Sequence, residues 1–360
     1  MILRSTGLFL ASLLAFSACQ DDGPKAKTFD CATIPDAPLE ITQLEEGDRA
    51  VWPTGVHDVA FDAEGWIAGF NTGAIVLANR AGERRVLTTA IGSAEGMEFL
   101  PDGRLVVASD EGIVAISPDG AVVPLAPHLQ SAFSIVVGPD GMIYSGDNDR
   151  IHRIDPDTGA TETYLDSVAS ARVLNWSPDR RILYVGTFGE AVYAVDVGED
   201  LIPVGQPRLL ASLPGAQYQD GLAVDGCGNI YIPVWPDKLY RITPEGTFTI
   251  YHHWPDMDFY GHGLKWGSGV GGWHKDALYM PQPWNDSTGE GTLYTVVEVV
   301  AGVPGLPPGG FPRPSATGDP HELTCAATGR RTRPPLAPLL LLPLALLLLR
   351  RHRPPHPPIS

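Results

Sequence analysis

The sequence predicts an all-β fold: a six-bladed β-propeller with four-stranded antiparallel blades around a central channel. Three observations carry that expectation. One pattern, an apolar strand, a tight Asp/Gly turn and a second apolar strand, recurs six times at steps of about forty residues. Gly and Pro number 40 and 34 of 360 residues in a chain that is still 44% hydrophobic. Many short strands joined by tight turns fit that composition, whereas a disordered chain would be poor in apolar residues. No helical periodicity of useful length competes.

The chain opens with one positive charge, the apolar run from Gly7 to Phe16, and Ser17-Ala18-Cys19. A short charged start, a ten-residue apolar stretch and small residues before a break form an export signal rather than a spanning helix. Phe16-Ser17-Ala18-Cys19 resembles a bacterial lipobox, so residues 1–19 read as a lipoprotein-type signal with Cys19 as the acylated residue. The bland alternative is an ordinary cleaved signal. Both readings export the protein, the first to the cell envelope on a lipid anchor. Residues 20–45 read as a linker, and the propeller is expected over 46–300.

The six repeats begin at Val59-Ala-Phe-Asp-Ala-Glu-Gly65, Met97-Glu-Phe-Leu-Pro-Asp-Gly103, Ile135-Val-Val-Gly-Pro-Asp-Gly141, Leu174-Asn-Trp-Ser-Pro-Asp-Arg180, Leu222-Ala-Val-Asp-Gly-Cys-Gly228 and the looser Leu264-Lys-Trp-Gly267. Measured at the turn residue, the first four steps are 38, 38, 39 and 48. Pro-Asp-Gly suits such a turn because Pro presets φ, Asp bonds its own backbone and Gly accepts positive φ. Most repeats carry a second hairpin, as in Gly112-Ile-Val-Ala-Ile-Ser-Pro-Asp-Gly120, which makes four strands per unit.

Beyond the repeats, 301–335 is a Pro/Gly-rich linker, and 336–360 is an apolar run broken by Pro338 and Pro343 and closed by Arg350-Arg351-His352-Arg353. Its fourteen apolar positions fall short of the roughly 20 that a spanning helix needs. With Cys325 and an Arg-rich spacer before it, this tail resembles a C-terminal sorting signal of some Gram-negative bacteria; a poorly folded tail fits equally well. Cys31 and Cys227 remain for a disulfide in an oxidising compartment, with Cys31–Cys325 as the alternative.

Charge limits the partners. The chain has 25 Lys+Arg against 42 Asp+Glu, a net of −17. Seven of the Arg fall in 1–19 and 330–360, which contain no acid, so 20–329 holds 18 basic against 42 acidic residues. A domain that acidic repels phosphate backbones, and nucleic acid is excluded as a partner. Membrane contact is expected only through the lipid anchor or the tail. No Gly-x-Ser-x-Gly elbow, phosphate loop or dinucleotide fingerprint is present, which argues against serine hydrolases, kinases and dehydrogenases.

In a propeller the innermost strand of each blade lines the channel. Counting back eight residues from each turn places His57, Glu95, Phe133, Arg172 and Asp220 at equivalent positions on the rim of blades one to five, with His262 in blade six. Five of the six are ionisable. One divalent metal ion is the only cofactor such a ring suggests, held by His57, Glu95, Asp220 and His262; imidazole with carboxylate suits a transition metal better than calcium. Arg172 opposes it, because a guanidinium keeps its charge and forks readily to a carboxylate. The segment Tyr251–His262 is rich in His and aromatic residues and is expected on the same face, as are Trp235 and Trp284. With Phe133, Trp254 and Tyr260 these form a candidate aromatic rim for a small polar or sugar-like molecule, or for a protein loop.

The run Gln219-Asp-Gly-Leu-Ala-Val-Asp-Gly-Cys-Gly-Asn-Ile-Tyr231, and Val173-Leu-Asn-Trp-Ser-Pro-Asp179 before it, resemble the regucalcin/gluconolactonase family over about 50–300, with weaker similarity to strictosidine-synthase-like propellers. The resemblance implies a channel metal bound by a Glu, an Asn and an Asp, and hydrolysis of sugar lactones with that Asp as base. Asp220 matches the Asp; the Asn falls on Arg172, the Glu on His57, and a substrate-contacting Asn on Phe133. Two functions stand as expectations. One is an envelope-anchored propeller binding a small polar or cyclic ligand at its channel mouth, with Glu95, Arg172 and the aromatics as its contacts. The other is a metal-dependent hydrolase of a sugar lactone or ester, with Asp220 as base and His57 or His262 as acid/base.

Overall fold

Twenty-four strands arranged as six four-stranded antiparallel sheets make up the computed structural model, which describes residues 29–44, 57–71, 73–147, 149–254, 263–282 and 295–306. This is the expected six-bladed β-propeller. The first strand, β1 (Glu40–Leu44), belongs to the last blade. Blade one is β2 (Val59–Phe61), β3 (Trp66–Asn71), β4 (Ala74–Asn79) and β5 (Arg84–Thr88). Blade two is β6 (Met97–Phe99), β7 (Leu105–Ser109), β8 (Gly112–Ile116) and β9 (Val122–Ala126). Blade three is β10 (Val136–Val137), β11 (Ile143–Gly146), β12 (Ile151–Ile154) and β13 (Thr161–Leu165). Blade four is β14 (Ala171–Trp176), β15 (Ile182–Thr187), β16 (Ala191–Asp196) and β17 (Arg208–Ser212). Blade five is β18 (Ala223–Val224), β19 (Ile230–Val234), β20 (Lys238–Ile242) and β21 (Phe248–His253). Blade six takes β22 (Lys265–Trp266), β23 (Ala277–Gln282) and β24 (Thr295–Val300), and is completed by β1.

That last pairing closes the ring. β1 runs antiparallel to β24 from Glu40↔Val300 to Leu44↔Val296, so residues read as linker from the sequence supply the outermost strand of blade six. The segment before β1 is fastened to blade five: Cys31 is disulfide-bonded to Cys227, and Arg241 donates to the Pro35 carbonyl. At the seam between blades six and one, Trp273 Nε1 donates to Gly65 O at 2.8 Å, and Arg80 pairs with the buried Glu298 at 2.6 Å.

The middle strands are largely apolar because both faces of every blade are covered. β7, β8 and β19 are buried at every position. The core is accordingly divided into six clusters, one at each seam between neighbouring blades. Large aromatics fill the seams: Trp176 packs edge-on against Tyr144 between blades three and four, and Trp266 against Tyr231 between blades five and six. Among the described residues the only helix is a 3₁₀ turn at Cys31–Thr33.

Strand direction defines two faces. Each inner strand enters from the channel mouth and ends in the Asp/Gly turn on the opposite face. The links between blades, and the turns joining second to third strands, lie on the mouth face.

Candidate functional site at the channel mouth

The five described rim positions form one chain of contacts, Glu95–His57–Phe133–Arg172–Asp220. His57 Nδ1 lies 3.2 Å from Glu95 Oε2. The His57 ring meets Phe133 edge-on with centroids 6.3 Å apart, and the Arg172 guanidinium lies over the Phe133 ring, 3.5 Å from its centroid. Arg172 Nε then donates to Asp220 Oδ1 at 2.6 Å. Counting eight residues back from each turn therefore locates one contiguous constellation drawn from five blades. His262, Tyr260 and Trp284 lie outside the described residues, as does Cys19.

Close approach of the inner strands narrows the channel behind this rim. A Cβ added at Gly96 would sit 2.5 Å from the Phe133 carbonyl oxygen, and one at Gly221 would sit 2.5 Å from the Gly263 carbonyl carbon. Only glycine lets these backbones meet. The cavity left, lined by Asp58, Glu95, Ser134, Asp220 and Lys265 among others, is about 30 Å³. That is room for a water molecule or two; small-molecule sites run to roughly 300–1,000 Å³.

Below the rim lies a buried triad that the sequence reading missed. Lys265 donates to Glu98 Oε2 at 2.7 Å and lies 3.4 Å from Asp58 Oδ2, which also accepts from the Met97 amide at 3.1 Å. Asp58 and Glu98 are both 7% exposed. Burial pushes the Asp58 carboxyl up to about 6, against the opposing Lys265 charge and the Met97 hydrogen bond. Burial also works against the Lys265 ammonium, but Asp58 and Glu98 outweigh it and hold its pKa above the ordinary lysine value. Glu98 and Lys265 share one offset within their repeats, each a charged residue inside an otherwise apolar inner strand; that was the available signal.

The aromatic rim differs from expectation in its members. Trp235 is 37% exposed and Phe188, not singled out from the sequence, is 47% exposed. Tyr218 stands between them, edge-on to both at 4.6 Å and 6.1 Å. Phe188 also lies 5.0 Å from the Arg172 guanidinium, so the wall is continuous with the rim. The segment expected as a mouth loop instead begins as strand β21. Tyr251 is buried in the seam between blades five and six, His253 pairs with Asp237 at 3.0 Å, and Trp254 is 8% exposed against His252. Trp254 therefore packs the seam and presents little surface to a ligand.

The described residues do not fit the divalent ion that the resemblance implies. The carried-over ligand Asp220, its side chain 1% exposed, holds Arg172, and the family's Asn position is that same Arg172. A guanidinium cannot deprotonate to become a ligand. At about 4 Å it would oppose each unit of metal charge by roughly 4 kcal/mol at an effective dielectric of 20. Among the described residues no cluster of three or more His, Cys, Asp or Glu is placed to hold a metal.

Residues 74–256, just over half of the chain, match the family described as SMP-30/Gluconolactonase/LRE-like region. Among solved structures, the calcium-binding protein regucalcin from Agrobacterium tumefaciens is 15% identical with a TM-score of 0.59, covering 74% of this chain and 96% of that one. A gluconolactonase from Xanthomonas campestris is 16% identical with a TM-score of 0.53, over 74% and 97%. A luciferin-regenerating enzyme is 17% identical with a TM-score of 0.59, over 75% and 99%. At these identities the likeness establishes the fold. No curated protein matches the chain in sequence.

Proposed function

The chain belongs to the SMP-30/gluconolactonase/LRE-like family, and from that premise we propose that it is an exported, envelope-anchored propeller that binds a small polar or cyclic ligand at its channel mouth. The observation that carries this reading is the Arg172–Asp220 pair, with side chains 11% and 1% exposed. Two fixed cations, Arg172 and Lys265, neutralise channel carboxylates, so the site works as a binding surface rather than a metal centre.

The 30 Å³ cavity is too small to admit a ligand, which therefore rests on the rim. Phe188, Tyr218 and Trp235 offer ring faces and edges to the apolar side of a cyclic molecule. Across the mouth, Glu95 and His57 supply hydrogen-bonding groups for its hydroxyls. The acidic surface favours a neutral ligand over an anionic one. Hydrolysis of a lactone or ester would use Asp220 as base, and a base must reach the proton it abstracts. Asp220 is instead buried and engaged with Arg172. Export and anchoring rest on residues 1–19.

Metal analysis of the purified protein tests the reading. The expected result is no stoichiometric divalent metal, a melting temperature that EDTA leaves unchanged, and no turnover of a lactone panel. Stoichiometric metal that disappears in Asp220→Ala, together with lactone hydrolysis, would establish the hydrolase instead. Calorimetry with neutral monosaccharides and their lactones should then detect binding that Phe188→Ala and Trp235→Ala weaken without altering the melting temperature.

A further inference from the structure

Both described ends of the propeller leave it on the face opposite the mouth. At the N-terminal end, Glu40 pairs with Val300 at the far-face end of β24, and Cys31 is bonded to Cys227 in the far-face turn between β18 and β19. At the C-terminal end, the chain after β24 crosses the same turn: Gly226 donates to Pro304 O at 2.7 Å, and Gly305 donates to Lys275 O at 3.0 Å. Leu39 and Pro35 lie beside Gly302, so the two exits are neighbours. Only nine residues lie between Cys19 and Phe29, a tether of at most about 35 Å over its ten steps when fully extended. Climbing a blade edge alone would consume about 20 Å at 3.3 Å per residue.

We propose that the propeller stands on the lipid surface by its far face, with the channel mouth turned away from the membrane. This rests on the anchoring half of the reading above and adds an orientation to it. A ligand then arrives from the aqueous compartment, and one held within the bilayer does not reach the rim. The far face carries Asp62, Glu64, Asp102, Asp157, Glu199 and Asp200 in its turns. It is therefore held to an anionic surface by the covalent acyl anchor, not by charge attraction.

Site-specific quenching tests the orientation on the full-length acylated protein in phospholipid vesicles carrying a headgroup nitroxide. In a Cys325→Ser background, a fluorophore is attached at Glu245→Cys, in the exposed far-face turn between β20 and β21, or at Asp149→Cys, in the exposed mouth turn between β11 and β12. With about 20 Å of strand between the two faces, quenching at position 245 is expected to be roughly twofold or more stronger than at 149. Equal quenching, or stronger quenching at 149, overturns the orientation while leaving anchoring intact. A protein that fails to float with the vesicles, and becomes no less soluble when Cys19 is retained than in Cys19→Ser, overturns the anchor itself and the orientation with it.

Discussion

Arg172 occupies a position where removing one partner and removing both should have different costs. Its guanidinium is stacked on Phe133 and bonded to an Asp220 side chain that is 1% exposed. Arg172→Ala leaves that carboxylate buried without its cation and is expected to destabilise the fold by about 3–5 kcal/mol. Replacing the pair with apolar residues, Arg172→Met with Asp220→Leu, should recover most of that loss. Urea denaturation of the two variants checks this; equal losses would show that the pair is not energetically coupled. Asp58 supplies a second residue-scale prediction. Its carboxyl titrates near 6 when folded, against an ordinary value of 3.8. Because the folded value is the higher one, the stabilisation from protonating Asp58 is present in full below about pH 4 and is lost as pH rises through about 6. Asp58→Asn lacks this dependence, so wild-type stability relative to the variant should fall between pH 4 and pH 7 by about 3 kcal/mol. A flat difference across that range would rule out Asp58 as the titrating group.

At the scale of the element, the second hairpins of blades two, three and five are bound to the blade before them. A Cβ built on Gly120 would overlap the Leu87 carbonyl oxygen; the same relation holds for Gly159 with Leu125 and for Gly246 with Leu210. These glycines also have φ of 88°, 71° and 92°, a region where other L-residues lose about 1–2 kcal/mol. Gly120→Ala should therefore cost that amount plus the displacement of the neighbouring outer strand, about 2–4 kcal/mol together. The loss would be read by denaturant titration, with ligand affinity at the distant mouth unchanged. This regularity explains what was legible from the sequence. The Asp/Gly turns are local signals of fixed chemistry, so they mark the repeat, and a fixed offset from them found the rim residues His57, Glu95, Phe133, Arg172 and Asp220. The triad of Asp58, Glu98 and Lys265 was not found, because meeting across the axis depends on how closely the inner strands approach. Gly263, packed against Asp58 and the His57 carbonyl, sets the approach of blades six and one, and no local pattern announces it. The Tyr251–His253 segment misled for a related reason: its aromatic and His content suits a binding loop and a seam-facing outer strand equally well. Likewise Glu40–Leu44 reads as part of a linker until its partner β24 is known.

For the molecule as a whole, the ring is closed by strand pairing and then fastened covalently. β1, the first described strand, joins blade six through five paired positions, and the disulfide ties the segment ahead of it to blade five. Cys31 and Cys227 are 196 residues apart in sequence, and a loop of that size removes about 5 kcal/mol of chain entropy from the unfolded state in the entropic model. The bond spans neither the mouth nor the inner strands, so its loss should act on global stability and leave the rim in place. Cys31→Ser with Cys227→Ser, or reduction of the native protein, is expected to lower the unfolding free energy by about 2–5 kcal/mol. The near-ultraviolet tryptophan bands of the folded state should largely persist, since Trp176 and Trp273 pack in the seams between blades three and four and between blades six and one, away from the disulfide. If the oxidised and reduced proteins unfold at the same denaturant concentration, β1 alone must close the ring. The Cys31–Cys227 bond would then only secure the segment that leads toward Cys19.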